Sequence, residues 1–123
     1  MDANILCKLI ARRVDPTKFQ LLGLDVHWLN EADDTPENRA IVADVITNYD
    51  GLAAEYLREQ HMTALRAERN RRLDEADIKY CNAERWSVMT EAQRAAWAAY
   101  KQSLRDLPAT IDPDNPVWPE MPA

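Results

Sequence analysis

Few side chains in this sequence could act as nucleophiles: Cys7, Cys81, Ser87 and Ser103, with His27 and His61 as the imidazoles that could activate them. Acyl-transfer chemistry needs a nucleophile, a base and an orienting acid in one place, and no G-x-S-x-G turn gathers them here. Glycine occurs only at 23 and 51, so neither the phosphate-cradling G-x-x-x-x-G-K-[ST] loop nor the G-x-G-x-x-G dinucleotide turn can be formed. Cys7 and Cys81 have no CxxC partner and no histidine nearby in the sequence. That argues against a metal site or a disulfide framework and for a reducing compartment. Asp74, Glu75 and Asp77 cluster, but beside Arg71 and Arg72 at helical spacing they read as salt-bridged surface. His27 reads as an exposed strand residue. The expectation is a protein without catalytic residues, cofactor or metal, whose chemistry is non-covalent recognition.

The groups suited to recognition lie near the C-terminus. Trp97, Tyr100, Leu104 and Leu107 recur at steps of three and four and form one stripe of a helix over 90–107, with Arg94, Lys101 and Arg105 to either side. Thr90 and Gln93 have the form of a capping box, which sets the start. Five alanines favour the helical state, and Pro108 is expected to stop it. Such a stripe needs a partner surface, either the chain's own core or another protein. Beyond Pro108 the sequence ATIDPDNPVWPEMPA carries four more prolines and should lie extended, close to polyproline geometry. Around Val117, Trp118 and Pro119 it reads as a disordered end, a cap packed on the chain itself, or a peptide for an aromatic groove.

The preceding elements set where these residues can stand. Residues 3–13 place Ile5, Leu6, Leu9 and Ile10 in pairs four apart, a short helix that Asp2 could cap. Asp15-Pro16 breaks it. Residues 18–22 and 25–30 are short runs of Phe, Leu, Val and Trp around Gly23, a small hairpin with Val26 and Trp28 on one face and His27 on the other. Since a lone hairpin is marginal in water, it should lie on a helix, most simply the first. Thr35-Pro36-Glu37 starts a helix that runs to about Tyr49, with Asp50-Gly51 as an interruption. From Leu52 the pattern stays helical to about Tyr80, or about 42 Å at 1.5 Å per residue. Its stripe of Leu57, His61, Leu65, Leu73, Ala76 and Tyr80 is narrow, which suggests a projecting helix or one that pairs along a seam, with a homo-oligomer through Leu57, Leu65 and Leu73 as one outcome. Residues 81–89 should turn the chain, anchored by Trp86 and Val88, so that the capped helix returns antiparallel to the long one. The expected fold is mainly α (α+β), divided as 1–50 for the first helix, hairpin and second helix, 51–107 for the long and capped helices, and 108–123 for the extended segment.

A length of 123 residues suits one domain. The net charge of −6 argues against general nucleic-acid binding. The arginines at 58, 66, 69, 71 and 72 read as a solvated helix face or a patch for an acidic protein. No apolar run approaches the ~20 residues of a membrane span, and Asp2 sits where a signal peptide favours positive charge. A soluble, cytosolic protein is expected.

Three blocks taken together go further: RNRRLDEADIKY from Arg69, TEAQRAAWAAYKQSLRDLP from Thr90, and NPVWPEMP near the end. In this order they resemble the phage tail assembly chaperone family, also called tail fibre assembly proteins. Its pattern is R-x-x-L-L-x-x-[ST]-D-W, then [ST]-x-E-x-R-x-A-W-x-x-Y-R-x-x-L-R-D, then V-V-W-P. The matching positions are Arg69, Arg72, Leu73 and Asp77, then Thr90, Gln93, Arg94, Ala96, Trp97, Tyr100, Leu104, Arg105 and Asp106, then Val117, Trp118 and Pro119. The chain departs from it at Ile78, where the family has Trp, and in a longer loop lacking the usual proline, where Trp86 could supply the missing aromatic. The resemblance implies a phage protein that binds the C-terminal or receptor-binding part of a trimeric tail fibre in the host cytoplasm and helps it fold, trimerise or attach. Trp97, Tyr100, Leu104, Val117, Trp118 and Pro119 are then the candidate partner contacts. Two other roles stay open: a virion component retained on the fibre as cap or connector, and a helical adaptor that homo-oligomerises.

Overall fold

In the computed structural model, which describes all 123 residues, the first helix begins where Asp2 can cap it. Its carboxylate accepts a hydrogen bond from the Ile5 N–H at 3.1 Å, opening α1 (Ala3–Ala11). After Asp15 and a 3₁₀ turn at Pro16–Lys18, β1 (Phe19–Leu22) and β2 (Asp25–Trp28) pair antiparallel, with Phe19 opposite Trp28 and Leu22 opposite Asp25. Gly23 turns the chain at φ 64° while Leu24 keeps negative φ, the pattern of a II′ hairpin turn with glycine at its first central position. Phe19, Leu21, Val26 and Trp28 share the inner face, Phe19 and Trp28 meeting edge to face at 6.3 Å. His27 is exposed on the other face, as the alternation requires.

Thr35 caps α2 (Pro36–Thr47), accepting from the Asn38 N–H at 3.2 Å, with proline at the first helical position. The interruption expected at Asp50-Gly51 falls earlier. Asn48 ends α2, its side-chain amide donating to the Asp44 carbonyl at 2.9 Å, and α3 (Tyr49–Glu75) has already begun when it reaches Gly51. A glycine in a first helical turn costs only about 1 kcal/mol, whereas an asparagine that bonds back to its own helix competes directly with continuation.

The chain forms two compact units, residues 1–57 and 58–123. The core of the first is Leu6, Leu9, Ile10, Val14, Phe19, Val45, Tyr49 and Ala53. The hairpin packs on the apolar face of α1, as its marginal stability alone demands. The Tyr49 hydroxyl accepts from the Asp2 N–H at 2.9 Å, and Arg13 bonds Asp44 at 2.6 Å.

In the second unit the later part of α3 ends in a π-helical turn, Ala76–Tyr80, closed by the Cys81 N–H donating five residues back to the Ala76 carbonyl at 2.8 Å. The stretch 81–89 is not a plain turn: Asn82 caps a short helix, α4 (Ala83–Val88). Of its two expected anchors, Trp86 is half-buried against the core while Val88 points out, 82% exposed. Thr90 and Gln93 form the expected reciprocal capping box at the start of α5 (Glu91–Thr110). Pro108 does not stop this helix. Its missing N–H removes one bond from the last turn, and the Ile111 N–H still reaches the Leu107 carbonyl at 3.0 Å. Tyr80 stacks on Trp97, and Asp77 meets Lys101 at 3.0 Å. The later partner on one helix thus meets the earlier on the other, so α5 returns antiparallel. Helix makes up 69% of the chain beside one two-stranded sheet, the mainly α architecture expected.

Candidate partner-binding site

α5 carries the aromatic stripe because its apolar residues fall every three or four positions, and its cap fixes the phase from the first turn. Trp97, Tyr100 and Leu104 lie inside the second unit at 6%, 5% and 0% exposure, with Ala76 completing the buried cluster. Trp97 is held from two sides, by Tyr80 stacked at 4.9 Å and Tyr100 edge-on at 5.7 Å, a favoured aromatic geometry. These three candidate contacts therefore form one cluster directed at the chain's own core. Leu65 of the long-helix stripe is also buried, Leu73 packs at the cluster's margin, and Leu57, in the first unit, is 42% exposed.

Of the three readings of the C-terminal segment, the packed cap is the arrangement observed. Pro113 is buried, and Trp118 packs beside the cluster with the Arg72 guanidinium 4.3 Å from its ring centre, within cation–π range. The His61 Nδ1–H donates to the Asp114 carboxylate. Pro119 is half-buried, but Val117 is 79% exposed and Met121 50%. The six candidate residues thus divide: Trp97, Tyr100 and Leu104 inside, Trp118 and Pro119 at the edge, Val117 on the surface. Ile78, where the family pattern has Trp, is 71% exposed, while Trp86 packs beside the cluster with the Lys101 ammonium 5.8 Å from its ring centre.

Sequence reasoning placed His61 and Tyr80 on the long-helix stripe and Arg72 in the family pattern, but it paired none of them with Asp114, Trp97 or Trp118. Arg72 and Trp118 stand 46 positions apart, and no spacing rule links an extended segment to a helix face. Arg94, placed beside the stripe from sequence, donates to the Trp86 and Ser87 carbonyls at 2.9 and 3.2 Å and so satisfies the C-terminal end of α4. Ser87 and Ser103 donate to helix carbonyls at 2.7 and 2.9 Å, and burial pushes the Cys81 thiol above its ordinary value, which keeps it protonated at neutral pH.

The basic stretch of α3 is internally paired. Arg71 and Arg72 both bond Glu68, and Arg71 also reaches Glu75 at 2.9 Å. Bonds from Arg71 first and Arg72 second lower the Glu68 carboxyl from 4.5 to about 2. The folded state holds this proton less tightly than the unfolded one, so the stability it contributes is complete above about pH 4.5 and is lost as the pH falls toward 2. Glu68→Gln should therefore lower the midpoint of urea unfolding at pH 6, with the difference from wild type closing by pH 2. Because the group is exposed, the effect should be small and weaker in high salt.

No helix is long and apolar enough to cross a membrane. No curated protein and no solved structure matches the chain. The sequence model of the phage tail assembly chaperone protein family matches residues 62–123, half of the chain and nearly all of the second unit. The aromatic cluster, the capped helix and the seated Trp118 all fall within that match, and on it the chain belongs to the phage tail assembly chaperone family.

Proposed function

We propose that this protein is a tail fibre assembly chaperone: it binds the C-terminal region of a trimeric phage tail fibre protein in the host cytoplasm and assists its folding, trimerisation or attachment. The observation that carries this reading is the family match over 62–123, which covers a packing unit with its own core rather than a fragment of one. The second unit also leaves apolar side chains in solvent: Ile78, Val88, Val117 and Met121 are each at least half exposed. Client chains that assemble through non-local β structure expose strand edges and apolar surface before they trimerise, and such residues suit a transient cover. Trp97, Tyr100 and Leu104 then support the surface from within, while Val117, Trp118 and Pro119 stand at it.

Co-expression with the fibre protein of the same phage, followed by size-exclusion chromatography with light scattering, tests this. The expected result is a co-eluting complex and a fibre that is insoluble when expressed alone. Val88→Asp combined with Val117→Asp should weaken that complex at least about tenfold with an unchanged circular dichroism spectrum, since both side chains are exposed. A fibre that is soluble unaided and ignored by this protein would overturn the reading. Mass spectrometry of purified particles separates a chaperone that leaves from a component that stays.

A further inference from the structure

The geometry points to the α3 face beneath the C-terminal segment as a peptide seat exchanged between copies: the segment of one chain takes in a second copy the place it takes at home, so that a closed monomer and a swapped dimer interconvert. This rests on the second unit alone and is independent of any fibre client.

The segment has the form of a bound ligand. Beyond the turn at 112–115, prolines stand at 116, 119 and 122, a period of three that matches the three-residue turn of polyproline II and keeps them on one edge of it. Such a chain is ordered before it binds and loses little backbone entropy on docking. Its anchors run along α3 in register: Asp114 at His61, Trp118 at Arg72, and Met121 beside Arg71, Glu75 and Tyr100. No main-chain hydrogen bond joins residues 116–123 to the helices. The seat is recognised by side chains and can be filled from another chain without breaking a ladder.

The reversal that brings the segment home is short. Asp112 accepts from the Asn115 N–H at 3.2 Å through its carbonyl and from the Asp114 N–H at 3.0 Å through its carboxylate, with Pro113 and Pro116 in and beside this turn. Open surface clefts flank the segment, about 280 Å³ bounded by His61, Leu65, Glu68, Pro113, Pro116 and Trp118, and about 230 Å³ beside Met121. Opening the turn gives up two local exposed bonds, while every anchor is regained in a second copy; short hinges are where such exchange occurs.

Mixing two variants of the full chain tests the inference. Trp118→Ala keeps the seat but spoils the ligand; Arg72→Ala keeps the ligand but spoils the seat. Each alone should stay at monomer mass by light scattering, and the mixture should give a one-to-one dimer, because one good segment meets one good seat without competition from home. A short tether gives an effective concentration on the order of millimolar, so wild type should dimerise only near that range and the mixture at concentrations about 100-fold lower. A mixture that stays monomeric, or variants that dimerise alone, would overturn swapping. As a second measurement, a labelled peptide of residues 112–123 titrated into Trp118→Ala should bind by fluorescence anisotropy; no binding removes the seat itself. Peptide binding with a monomeric mixture would overturn the second copy as occupant and assign the seat to a proline–tryptophan segment of another protein.

Discussion

Replacing Trp97 by alanine is expected to destabilise the second unit strongly, by about 3–5 kcal/mol. The indole is 6% exposed and held by Tyr80 and Tyr100, so the substitution removes buried area, leaves a cavity and forfeits two aromatic contacts. A small unit has only about 5–15 kcal/mol to lose. Urea unfolding followed by circular dichroism and by the emission of Trp86 and Trp118 should show an early transition. Val117→Ala, a change at an exposed side chain, should stay within about 0.5 kcal/mol of wild type. The contrast bears on function: if Trp97→Ala left stability unchanged and weakened only client binding, the tryptophan would be a recognition group rather than core.

A loss of about 2–5 kcal/mol is expected for Leu6→Ala in the first unit. Leu6 is fully buried, one turn from the equally buried Ile10 and in the same core as Val45 and Phe19, so hairpin, α1 and α2 all line the cavity it would leave. Hydrogen exchange should show protection falling across 3–28 and 36–49, with the α5 amides 94–107 as the reference. Exchange that rose only within α1 would mean the hairpin and α2 do not depend on this side chain.

What could be read from the sequence was what local chemistry decides. Thr90 with Gln93, Thr35 with Pro36, and Asp2 each carry their hydrogen-bond partner within three residues, so the caps were visible before any fold was. The hairpin was visible because alternation around Gly23 needs no distant information. Asn48 was missed because Gly51 is the stronger breaker by propensity, while the amide's bond back to Asp44 depends on its rotamer. Pro108 misled because the usual cost of proline assumes a helix that continues well past it, and α5 ends two residues later. The stripe of Trp97, Tyr100 and Leu104 was legible as a stripe, yet periodicity says only that a face is apolar, not what covers it. Its cover came from Ala76 and Tyr80, which the long-helix stripe already held, and from Trp118, placed by an extended segment that has no periodic signature. His61 looked like part of the α3 stripe; it stands exposed and reaches Asp114, 53 positions on.

The π turn at Ala76–Tyr80 also bears on how such a chain can change over time. A π turn carries one residue more than an α turn, so it behaves as an insertion absorbed without breaking the helix. Losing one residue there would let α3 finish as a regular α-helix, and what lies beyond would keep about the direction it has now, because the wide turn had taken up the extra residue. The stacking of Tyr80 on Trp97 and the entry into α4 would survive the change. The five positions thus act as slack in the chain, where a descendant sequence could gain or lose a single codon and keep its C-terminal helices aimed as they are.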